Sequence, residues 1–88
     1  MAEELDIPSW VKGRQAKVEP LGQGMYRVTG PNLPEAVVGV RMTEELGWQG
    51  FVRSTAEGPD TAVATSGQDN SRDALYAAFE LYRERLIY

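Results

Sequence analysis

Residues 71–86 read SRDALYAAFELYRERL, and their spacing sets the fold class. Leu75, Ala78, Phe79, Tyr82 and Leu86 recur at three- and four-residue steps and share one stripe of an α-helix, while Asp73, Glu80, Arg83 and Glu84 lie away from it. Asn70, three residues before Asp73, supplies an N-cap with acid in the first turn, and Arg83 and Arg85 place cations at the C-terminal end of the helix dipole. One amphipathic helix therefore ends the chain, and its apolar stripe needs a surface to cover.

Upstream the apolar period is two. In residues 36–42, Ala36, Val38, Val40 and Met42 face one way and Val37, Gly39 and Arg41 the other; a polar turn at 43–47 leads into residues 48–55, and a second turn at 56–60 into 61–65. These segments make a three-strand meander. Residues 15–29 read as a preceding hairpin, with Ala16 and Val18 alternating in one strand, Tyr26 and Val28 in the other, and Leu21-Gly22-Gln23-Gly24 as the connection. The prolines of Gly30-Pro31-Asn32-Leu33-Pro34 mark a break between hairpin and meander. The expected fold is α+β: an antiparallel sheet of about five strands with the C-terminal helix on one face. Residues 1–11, with Pro8 before Ser9-Trp10-Val11, read as an extended N-terminal arm pinned by Trp10, and residues 12–88 as the single domain.

The 88 residues suit one small core, since a second would need roughly 50 more. With 42% apolar and 25% charged residues the chain has the composition of a folded domain. It has no cysteine, no apolar run long enough to span a bilayer and acid where a signal peptide carries base, so a cytoplasmic location is expected. No membrane association is expected either.

Catalysis finds little to work with. Without histidine or cysteine the commonest general base, the Ser-His and Cys-His nucleophile pairs and the imidazole and thiolate metal ligands are all missing. The carboxylate pairs Glu44-Glu45, Glu57 with Asp60, and Asp69 with Asp73 lie in turns or at the helix start, where acids serve solubility and capping. Gly22-Gln23-Gly24 leads into a strand and offers no helix N-terminus to a phosphate. The domain is therefore expected to be non-enzymatic, with no cofactor and no metal.

The segment Gly47-Trp48-Gln49-Gly50-Phe51-Val52-Arg53-Ser54 decides which sheet face meets the helix. Either Trp48 and Val52 turn inward and Phe51 lies on the opposite face between Gln49 and Arg53, or Phe51 turns inward and Arg53 must follow it unless the strand bulges at Gly50. The first placement keeps Arg53 out of the core and is preferred. It leaves an open sheet face carrying Phe51, Arg53 and Val37, to be covered by the arm, with Trp10 over Gly39 or Gly50, or by a protein partner or second copy. The expected function is protein interaction through that face, as a homodimer or accessory subunit, with Trp10, Phe51, Arg53 and Tyr76 as contact residues.

The layout of residues 36–86, carried by GWQGFVRS and the terminal helix, resembles the plant ethylene-response-factor DNA-binding domain and the arm-binding domain of tyrosine recombinases. That resemblance implies a second reading, in which Arg41, Gln49 and Arg53 enter a DNA major groove from the sheet. The net charge of −4 opposes it, although residues 12–53 carry six cations against four acids.

Overall fold

The computed structural model describes residues 8–31 and 33–87, of Ile87 the backbone alone. Strands β1 (Lys17–Gly22), β2 (Met25–Gly30), β3 (Leu33–Thr43), β4 (Gly47–Arg53) and β5 (Asp60–Val63) form one antiparallel sheet in chain order. A short helix α1 (Ser9–Gly13) precedes them and α2 (Ser71–Tyr82) follows, continued by a π-helical turn at Arg83–Ile87. The sheet with a C-terminal helix against it is the α+β architecture that the two apolar periods predict.

The helix forms as its sequence requires. Asn70 Oδ1 accepts from the Asp73 amide at 2.9 Å, and Ala74, Leu75, Ala78, Phe79 and Tyr82 are buried against β3 and β4. Val38 pairs with Val52 across β3 and β4, and both lie in the helix-side core together with Val28, Ala36 and Ala62. The inward set of β4 is thus Trp48, Gly50 and Val52, as the alternation favoured.

Gly50 sets how closely α2 approaches. A Cβ at this position would fall 2.4 Å from the Ala74 carbonyl oxygen, 2.8 Å from the Ala78 nitrogen and 3.1 Å from the Ala78 Cβ. Helix backbone therefore rests directly on strand backbone, with alanine methyls as the only spacers.

Two expectations change. The 30–34 segment does not divide the sheet: Gly30 pairs with Leu33, Val28 with Ala36, and β3 starts ahead of its first alternating residue. Pro34 fits within the strand near a register shift between Val28 and Gly30, where a missing amide costs no ladder bond, and its carbonyl accepts from the Tyr82 hydroxyl at 2.5 Å. Burial of that phenol pushes its pKa up, against a lowering influence from Arg14.

The second change concerns the arm. Its residues 1–7 lie outside the described residues, and Ser9–Gly13 is helical instead of extended. Pro8 stands at the N-cap, where a missing amide is harmless, and its carbonyl accepts from the Val11 amide at 3.1 Å. Five residues are too few to hold a helix alone. Val11, fully buried in the core, and Trp10, packed against Phe79 and Tyr82, hold this one.

Gly50→Ala should lower the stability of the fold by about 1–3 kcal/mol, the usual cost of overpacking, read as a fall in the urea midpoint. Gly13→Ala, with no atom within 4 Å of the added carbon, should leave the midpoint unchanged or raise it, so equal losses in both variants would refute the close-contact account.

Candidate interaction surface

The face of the sheet away from α2 carries Met25 and Arg27 from β2, Val37, Gly39 and Arg41 from β3, Phe51 and Arg53 from β4, and Asp60 and Val63 from β5. It is closed by its own side chains. Phe51 pairs with Gly39, and a Cβ on Gly39 would lie 2.6 Å from the ring's Cζ, so the ring lies down over the neighbouring strand. The guanidinium carbons of Arg41 and Arg53 stand 4.7 and 4.6 Å from the ring centroid. Phe51 is left only 3% exposed.

Asp60 ties the two arginines together. Arg41 Nη2 donates to Oδ2 at 2.5 Å and Arg53 Nε to Oδ1 at 2.8 Å, while Arg53 Nη1 also donates to the Ala56 carbonyl at 3.0 Å. Gln49 accepts from Arg41 Nε at 3.3 Å and donates to the Ala64 carbonyl at 3.0 Å. Burial alone would raise the Asp60 carboxyl, but hydrogen bonds from Arg53 and Arg41 and the charges of both outweigh it and hold its pKa below the ordinary value. Further along the same face Arg27 lies 3.6 Å from Glu19 and 3.7 Å from Glu35, exposed pairs that contribute little to stability.

The residues read from sequence as a partner patch are therefore divided. Phe51 and Arg53 are together but engaged within the chain. Trp10 lies on the other side of the sheet, over neither Gly39 nor Gly50: it stacks on Tyr82, meets Phe79 edge-on, and its indole N–H donates to Glu80 at 3.2 Å, with Arg83 over its ring. Tyr76, 37% exposed, is on α2 as well. Arg41, Gln49 and Arg53, the residues of the DNA reading, do sit side by side, with Asp60 between the two guanidinium groups as the anion already in place.

The open apolar surface lies instead beside α2. That helix crosses β3 and β4 and touches β5. Next to its first turn is a groove of about 640 Å³, with Tyr26, Val40, Met42, Trp48 and Leu75 as its apolar lining and Gln23, Ser71 and Arg72 among its polar residues. Met42 is 61% exposed, the most of any large apolar side chain among the described residues.

Backbone contacts from the segment before α2 hold one side of this groove. The Trp48 amide donates to the Gln68 carbonyl at 3.0 Å and the Gln68 amide returns a bond to Trp48 at 2.8 Å, which anchors the approach to α2 on the start of β4. Met42 and Trp48 are readable from alternation as members of an inward face. That this face extends past its helix could be read only from the helix's length and crossing direction.

Compared with protein-family models, curated proteins and solved structures, the chain gives no match in any of the three.

Asp60→Asn should cost about 1–3 kcal/mol, as expected for loss of a charged hydrogen-bond acceptor, measured by chemical denaturation near neutral pH. Because the folded carboxyl has its pKa lowered, its contribution is complete above the unfolded value of about 3.9 and is lost as pH falls through the folded one. Stability of the parent chain should thus drop below about pH 4 more steeply than that of Asp60→Asn. Parallel acid limbs would mean that the network does not hold the face.

Proposed function

We propose that this domain is a non-enzymatic protein-interaction module that receives an apolar side chain of its partner in the groove beside α2. The observation that carries the proposal is Met42, 61% exposed and continuous with Trp48 and Tyr26 along the groove lining. A small domain gains little from leaving such a surface in water, and methionine with aromatic neighbours is a composition that adapts to and binds protein side chains.

Other modes of contact have less to support them. Phe51 cannot serve as an anchor on the far face while two arginines cover it. Both sheet edges are guarded against strand addition, β1 by Pro20 and Lys17 and β5 by its four-residue length. DNA phosphates would have to displace Asp60 from both Arg41 and Arg53 before using them. The absence of histidine and cysteine favours a binding role over a catalytic one.

A photo-crosslinking amino acid at Met42 should trap a protein in the cell of origin, whereas the same group at Val63, on the far face beside Phe51, should trap none. Adducts from Val63 alone, or from neither position, would overturn the assignment of the groove. Met42→Glu should weaken capture about tenfold or more, roughly 1.4 kcal/mol, with thermal stability unchanged because the side chain is exposed.

A further inference from the structure

We infer that Met42 is an oxidation site that controls the groove: hydrogen peroxide converts its thioether to the sulfoxide, and the sulfoxide closes the groove to an apolar side chain; this rests on the groove being the docking site. The chain has three methionines and no cysteine, so no thiol of its own competes for peroxide and sulfur oxidation falls on a thioether. Met1 lies outside the described residues, which leaves Met25 and Met42. The fold treats these two sulfurs differently. Met42 is 61% exposed beside α2. Met25 is half-buried on the far face, where Arg53 Nη1 donates to its sulfur at 3.6 Å. Oxidation uses a sulfur lone pair, so a cation that already engages the Met25 sulfur slows the attack there, and Met42 is left as the reactive position.

In the step, a lone pair of Met42 Sδ attacks one oxygen of the peroxide. The S–O bond forms as the O–O bond breaks, and after proton transfer the second oxygen leaves as water; sulfur is oxidised and the peroxide reduced. The product matters because of where Met42 stands. It pairs with Trp48 across β3 and β4, and both line the groove with Tyr26, Val40 and Leu75. A thioether packs well against aromatic and aliphatic neighbours, whereas a sulfoxide carries a strong acceptor oxygen. An apolar side chain entering beside that oxygen would strip its water and return no hydrogen bond. Because Met42 is exposed, the change is confined to the groove and spares the core. Methionine sulfoxide reductases reverse the oxidation, which makes the position a switch.

The purified chain is treated with hydrogen peroxide, and oxygen gain at each methionine is followed by mass spectrometry. Met42 should oxidise several times faster than Met25, with the melting temperature unchanged. A chain carrying a photo-crosslinking group at Gln23, exposed at the groove, is then oxidised, freed of peroxide and illuminated in extract of the cell of origin. Capture of the protein that is trapped from position 42 should fall about tenfold or more on oxidation and return after treatment with sulfoxide reductases. Met42→Leu, apolar but without sulfur, should capture that protein before and after peroxide, and Met42→Gln, a polar stand-in for the sulfoxide, should fail to capture it without peroxide. Equal oxidation of Met25 and Met42, capture that survives oxidation, or loss of capture by oxidised Met42→Leu would overturn the switch and leave the groove standing. A melting temperature that falls with Met42 oxidation would make the loss one of folding and overturn the switch too. No capture by the unoxidised chain would overturn the groove itself, and the switch with it.

Discussion

The close approach of α2 to Gly50 is the contact on which the other features rest. Strand and helix backbones normally stand apart by the depth of two side chains; here glycine on the strand and Ala74 and Ala78 on the helix bring them into direct contact. Phe79 and Tyr82 can then reach past the strand into the core, and Tyr82 extends to the Pro34 carbonyl on β3. The same docking creates the shelf for α1, because Trp10 packs on Phe79 and Tyr82. A larger residue at position 50 would lift the helix and separate each of these contacts at once.

A second glycine performs the matching task on the other face. Gly39 lets the Phe51 ring lie against β3, and the flat ring lets two guanidinium planes cover it. Side by side, the arginines would repel each other, so a carboxylate between them is what makes the arrangement stable. Asp60 provides it at the register shift that starts β5, where Arg53 pairs with Asp60 directly. An aromatic residue that alternation places outside thus becomes nearly as buried as the core, with no second helix needed.

Much of the architecture was legible in the chain. The switch of apolar period from two to 3.6, the Asn70 cap and the inward set of Val38, Val52, Leu75 and Phe79 follow from local spacing, and local spacing survives folding. The errors lie where an outcome depends on distant residues. Phe51 was read as exposed because its cover by Arg41 and Arg53 depends on Arg41, ten residues before it, and on Asp60, nine after, which holds both arginines. The arm was read as extended because nothing near Pro8 announces that Val11 has a core site waiting. The groove beside α2 was not read for a similar reason: alternation tells which residues share a face, but not how much of that face one helix of twelve residues can cover.

That shortfall of cover has a physical origin in the fold's proportions. At 1.5 Å per residue, α2 is roughly 18 Å long, about the width of four strands at the usual spacing near 4.8 Å, and it lies across β3 and β4 instead of spanning the sheet. Val11 of α1 joins the same helix-side core as Val28 and Ala36. Among the described residues nothing comparable lies at the opposite ends of β2 and β3, and there Tyr26, Val40 and Met42 line the groove beside the first turn of α2. A longer helix would cover more of that face. The binding proposed for this domain thus has its physical root in the mismatch between one short helix and five strands.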